Sequence, residues 1–202
     1  SFFHPEELDV KTKAWLRHYF EEQIYPVVTP LAVDSGHPFP FLANNTINAI
    51  VRIFQVQPDG TKDYKIAILP IPSVLDRIIE VPSSSNKEHR FVYLEDVISY
   101  YAIQFFQGYG IEEAMIFRLT RDADLEIDEE DAKDLLTEVE ASLRRRRRGD
   151  AVRLEVVGGG SPELLRTVLA SVELEEKDVY HIELDSKDMM SLDLRAIKST
   201  IE

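Results

Sequence analysis

The amino-acid sequence predicts an α/β domain, bordering on α+β, built on a mixed sheet of four to five strands covered by helices on both faces. Three observations predict it. Short segments of alternating or continuous apolar character recur along the chain. Helical segments with their own start and stop signals fall between them. The order is two strands, then helices and strands in alternation, then a helical tail. The 202 residues, 44% of them hydrophobic, suffice for one sizeable core.

The first helix is "DVKTKAWLRHYFEEQ", residues 9–23. It belongs to a helical lead-in, residues 1–30, expected to sit on a main domain of residues 31–202. "TINAIVRIF" places Ile47, Ala49, Val51 and Ile53 on one face at a period of two. "YKIAIL", 64–69, is apolar on both faces and reads as a buried strand. Between them "QPDGTKD" carries Asp59-Gly60, a turn dipeptide, so the two strands are expected to pair antiparallel. "VPSSSNKEHR", 81–90, is a loop, and "LEDVISYYAIQFF" is a helix stopped by Gly108.

"AMIFRLTR" and "AVRLEVV" are two more strands. In the second, Val152, Leu154 and Val156 point one way while Arg153 and Glu155 point the other. A helix from Asp128 to before Gly149 joins them, with Ala132, Leu135, Leu136, Val139 and Leu143 as its apolar stripe. Ser161 caps another helix with Pro162 at its first position, burying Leu164, Leu165, Val168 and Leu169. "DVYHIE", 178–183, is a short fifth strand.

Composition excludes several functions. No segment approaches 18 uninterrupted apolar residues, so no transmembrane segment is expected. The first residues lack the basic-then-apolar pattern of a secretory signal. With no cysteine there is no disulfide, thiolate nucleophile or cysteine metal site, which fits a reducing, cytoplasmic setting. A net charge of −14 repels polyanions, so nucleic acid is not an expected partner. Five consecutive arginines, Arg144 to Arg148, are the one concentrated basic spot.

No metal site is expected. The five histidines form no i, i+4 pair, and the acidic run at 122–134 is better explained as a helix N-terminus than as a calcium loop. Neither of the two glycine-rich nucleotide signatures occurs. "GGGSPE" follows a strand and opens a helix, like a phosphate cradle, but lacks the lysine and the spacing, and reads as a surface loop. Thr29, Asp34 and His37 lie close in sequence, but a catalytic triad is defined by geometry, which spacing does not give. The arginine run spreads around a helix axis, since successive residues rotate by about 100°. It reads as a solvated, dipole-matched helix end, with phosphate binding by guanidinium forks as the functional alternative.

Three segments together resemble one family. "YFEEQIYPVVTPLAVDSGHPFPFLANNTINAIV", "FRLTRDADLEIDEEDAKDLL" and "RRRRGDAVRLEV" occur in this order, at about this spacing, in the bacterial long-chain polyphosphate kinases, and "FVYLEDVI" is similar too. The resemblance runs from about Trp15 to the end and is to the middle, or head, domain alone. It implies a parent enzyme that reversibly transfers the terminal phosphate of ATP to inorganic polyphosphate through a phosphohistidine, with ATP and magnesium bound in other domains. The phospholipase-D-like histidine motif of that family matches none of the five histidines here, so no catalytic residue is assigned to this chain, and the segment alone is expected to be inactive.

The resemblance implies a structural, dimer-supporting and polymer-guiding role for this domain. The remaining domains of the kinase, a second subunit and inorganic polyphosphate are the implied partners. The implied location is cytoplasmic, peripheral at the membrane in the full enzyme. Candidate phosphate contacts are Arg145, Arg147, Arg148 and Arg153. The proline-rich stretch "VVTPLAVDSGHPFPFL" is read as a stiff structural or interdomain strap, with Pro30, Asp34, His37, Pro38 and Pro40 as its candidates. The alternative is a non-catalytic acidic adaptor that binds a protein partner.

Overall fold

The computed structural model describes residues 1–83, 88–122, 149–157 and 160–182. Helix α1 (Val10–Tyr19) starts at Asp9, whose carboxylate accepts from the amides of Lys11 and Thr12 at 3.0 Å each. It continues as a π-helical turn (Phe20–Ile24) and a 3-10 turn (Tyr25–Val27). Among the described residues, eight strands follow in chain order with two more helices among them. These are β1 (Leu31–Val33), β2 (Ile47–Val56), β3 (Lys62–Pro70), β4 (Ile78–Val81), β5 (Arg90–Tyr93), α2 (Leu94–Tyr100), β6 (Gly110–Arg121), β7 (Ala151–Val157), α3 (Pro162–Val172) and β8 (Val179–Ile182).

Six strands form the main sheet in the order β1-β3-β2-β6-β7-β8. Every pair in it is antiparallel except β7–β8, which is parallel. The sheet is therefore mixed, as predicted, and the five expected strands are all present. The strap adds a sixth, β1, on the edge of β3. A separate pair, β4–β5, flanks the 81–90 loop. The β2–β3 hairpin closes where expected, with Gly60 at φ 85°.

The sheet buries both faces. On the first, Ala49, Val51 and Ile53 of β2 and Ala67 and Leu69 of β3 meet Leu16, Phe20 and Ile24 from the helical lead-in and Val97 and Ile98 from α2. On the second, Ile50, Ile68, Met115, Phe117, Leu119, Leu154 and Val156 meet Leu164, Val168 and Leu169 of α3. The single apolar face read for β2 is thus half of it, because Ile50 is fully buried on the other side. Val152 departs from its expected inward set: it is exposed where β7 enters the sheet, beside a register shift at Thr120/Arg121.

Two helix ends show how local chemistry sets boundaries. The α2 segment relaxes into a 3-10 turn (Ala102–Phe105) before Gly108, which takes φ 80°. Helix α3 has no glycine stop, and Glu173 itself adopts the left-handed conformation at φ 59°. The expected helix from Asp128 to Gly149, with Arg145, Arg147 and Arg148 on it, lies outside the described residues.

Candidate functional site

The strap crosses the sheet on its second face. It leaves β1 at the sheet edge, turns at 34–37, and passes Phe39 and Leu42 into the second core. Its far end is tied to the end of β6. The Asn44 side chain accepts from the Arg121 amide (2.8 Å), and Arg121 donates through Nε to the Leu42 carbonyl and through a terminal nitrogen to that of Gly149, both at 2.8 Å. The Arg121 guanidinium also lies 4.4 Å from the centre of the Phe41 ring. Arg121 lies in the "FRLTRDADLEIDEEDAKDLL" segment that carries the resemblance, but its anchoring role depends on register.

Asp34 and His37 come together in the exposed turn. Asp34 Oδ1 accepts from the Gly36 amide (2.8 Å), the His37 amide (2.8 Å) and His37 Nδ1 (3.0 Å). The His37 hydrogen bond, then the Gly36 and His37 amides, hold this carboxyl below the usual carboxylate range. Thr29 is exposed, and among the described residues no hydrogen bond joins it to the pair. The pair closes a turn. Asp34→Ala removes all three bonds and is expected to lower the melting temperature by about 2–4 °C. His37→Ala removes one and should shift it less. Thermal melts of both variants check this, and a larger effect for His37→Ala would contradict it.

At the start of α3, the place resembling a phosphate cradle is taken by a carboxylate. Glu113 of β6 accepts from the Ser161 amide and hydroxyl, both at 2.8 Å, while the Ser161 hydroxyl accepts from the Leu164 amide at 3.1 Å. Arg52 then balances Glu113 (3.2 Å) and Glu163 (3.0 Å). Gly160 approaches Met115 so closely that a Cβ would stand 2.6 Å from its sulfur, so this loop end is fixed by packing. Residues 158 and 159 lie outside the description.

Arg153 stands on β7, toward the opposite edge of the sheet from β1. Its guanidinium lies 3.9 Å from the centre of the Tyr180 ring and bonds Glu155 Oε1 at 2.9 Å. Arg118 of β6, opposite Glu155 in register, donates through Nε to the other carboxylate oxygen. Arg118 was not singled out from the sequence. The signal was its alternation with Phe117 and Leu119, which puts it on the face opposite theirs. Elsewhere, His4 and the largely buried side chain of Asp96 meet at 3.3 Å. Among the described residues no group of three or more His, Cys, Asp or Glu side chains could hold a metal ion. No described helix is long and apolar enough to cross a membrane.

These features define a two-cored α/β domain whose polar chemistry lies on its faces. The family model for the polyphosphate kinase middle domain matches residues 11–192, and the chain belongs to that family. It is 41% identical over 179 residues to a polyphosphate kinase of Halalkalibacterium halodurans, covering 88% of this chain and 25% of that protein. It is 40% identical over 176 residues to one of Bacillus cereus, covering 86% and 25%. The chain thus spans about a quarter of the length of these relatives. The crystal structure of polyphosphate kinase from Porphyromonas gingivalis shares the fold, with a TM-score of 0.65 at 22% identity over 87% of this chain and 24% of that one.

Proposed function

We propose that this domain serves a parent enzyme that reversibly transfers the terminal phosphate of ATP to inorganic polyphosphate through a phosphohistidine carried elsewhere in the polypeptide. The supporting observation is the family match over 11–192, together with the quarter share of its relatives' length. In this reading the segment is inactive alone. ATP and magnesium bind in the other domains, which are its first partners. The domain supports a homo-oligomer and guides the polymer, with Arg153 among the phosphate contacts. The enzyme works in the cytoplasm, peripherally at the membrane.

Residues 1–30 and 31–202 act as one unit in this proposal, supported by the burial of Leu16, Phe20 and Ile24 against the sheet. Pro30, Asp34, His37, Pro38 and Pro40 form an interdomain strap. Its prolines limit φ, and its exposed turn is available to a neighbouring domain. His37→Ala would then cost assembly more than turnover.

A chimera tests the proposal. This chain replaces the equivalent middle segment of the Bacillus cereus relative, and polyphosphate synthesis from ATP is measured. Turnover within about tenfold of the parent is expected, against loss of synthesis when a flexible linker takes its place. A folded chimera with no synthesis would reject the reading, as would a linker version that stays active.

A further inference from the structure

We propose that the first face of β6, β7 and β8 carries a binding shelf for linked phosphate groups, formed by Arg118 and Arg153 on either side of Glu155. The inference rests on the polymer-guiding reading above and names the surface that performs it. Cross-strand register puts the residues on one face: Arg118 lies opposite Glu155, Glu155 opposite Tyr180, and Thr120 opposite Arg153. Phe117, Leu119, Leu154 and Val156 alternate with them and fill the second core.

Glu155 is 7% exposed and divides its two oxygens between the two arginines. This carboxylate holds both guanidiniums in place before any ligand arrives, which reduces the ordering cost of binding. The Tyr180 ring fixes Arg153 from a second side. The arginine side chains remain 32% and 44% exposed. A guanidinium has five N–H donors, and Glu155 takes Nε–H of Arg118 and one terminal nitrogen of Arg153. Among the described residues, no other hydrogen bond or ion pair is made by either guanidinium. Two cations around one anion give this three-residue cluster one net positive charge on a chain of net charge −14.

The chemistry favours phosphate over carboxylate. Phosphate offers several acceptor oxygens to each planar fork, and a chain of linked phosphates presents charges in series to two neighbouring forks. A polyphosphate strand and the triphosphate of a nucleotide share this chemistry; the shelf is assigned to the polyphosphate strand.

The test titrates the 202-residue chain with long-chain polyphosphate, ATP and poly-glutamate over a salt series. Arg118→Gln/Arg153→Gln is compared with the unaltered chain, and thermal melts report folding. Polyphosphate should bind the unaltered chain most tightly. The double variant should weaken it by about tenfold and flatten its salt dependence, since fewer counterions are released. If the double variant does not fold, Arg153→Gln alone carries the test, because the Arg118–Glu155 pair remains; a loss of about threefold is expected. Salt-sensitive binding unchanged in the folded variant would overturn the shelf while leaving polymer guidance to other residues. No binding by the unaltered chain would overturn both. Poly-glutamate or ATP binding as tightly as polyphosphate would overturn the assignment to a polyphosphate strand.

Discussion

Replacing Phe20 by alanine is expected to destabilise the chain by about 3–5 kcal/mol, the range for emptying a buried aromatic site. Phe20 is fully buried at the seam between the helical lead-in and the sheet. Its ring stacks on Tyr101 at 4.8 Å and meets the edge of Phe105 at 5.6 Å. The cavity would therefore open beneath Tyr101, Phe105 and Tyr25, whose ring lies 6.0 Å from that of Phe20, and these cannot all shift to fill it. For a chain of this length such a loss lowers the melting temperature by roughly 10–15 °C. Tyr25→Ala, at a residue that is 40% exposed, should cost much less. A single, cooperative, strongly lowered transition is the expected result in calorimetry. Two separate transitions, with the second unmoved, would show that the lead-in folds apart from the sheet.

Asp96→Asn should stabilise the chain near neutral pH, and the gain should disappear in acid. The Asp96 carboxyl is pushed up to about 6, first by burial and then by the charge of Glu95, with His4 opposing the shift. Glu6 adds to the repulsion, and Arg77 bonds Glu95 at 2.9 Å. A folded carboxyl that holds its proton more tightly than the unfolded one stabilises the fold in acid. That stabilisation is fully present below pH 3.8, the ordinary value, and is lost as pH rises through about 6. The gap between the two values corresponds to about 3 kcal/mol. Asparagine has no proton to lose. The stability difference between variant and parent should be near zero at pH 4 and grow to as much as about 3 kcal/mol at pH 7. Denaturant melts at a series of pH values measure it. A flat difference, or a variant less stable at pH 7, would show that the His4–Asp96 ion pair outweighs the burial of the carboxylate.

The two acids at the start of α2 show why this group was not read from the sequence. "LEDVISYY" places Glu95 and Asp96 in the first turn of a helix, where carboxylates are ordinary. Asp96 is covered by His4 of the lead-in, a contact between positions about 90 residues apart in the chain, and Glu95 is paired by Arg77. The same holds for the strap. Its prolines, Asp34 and His37 were legible, because proline fixes φ whatever its neighbours do. That the strap contributes an edge strand, crosses the second core through Phe39 and Leu42, and is tied down by Arg121 required partners from β3, α3 and β6.

Local chemistry was enough for the parts of this protein whose energetics are local. The Asp59-Gly60 turn, the Ser161-Pro162 start of α3, the Asp9 start of α1 and the alternation of β7 from Arg153 to Val156 were visible because each depends on a few adjacent residues. The family resemblance was visible because three such segments keep their order and spacing. Register and burial were decided in three dimensions. They bring Arg118, Glu155, Arg153 and Tyr180 from three strands onto one face, and they let Glu113 occupy the start of α3. The pairings that assemble this face, Arg118 with Glu155 and Glu155 with Tyr180, join strands distant in the chain, and shifting one strand by a single residue would turn its side chains to the other face. No short stretch of sequence carries that information.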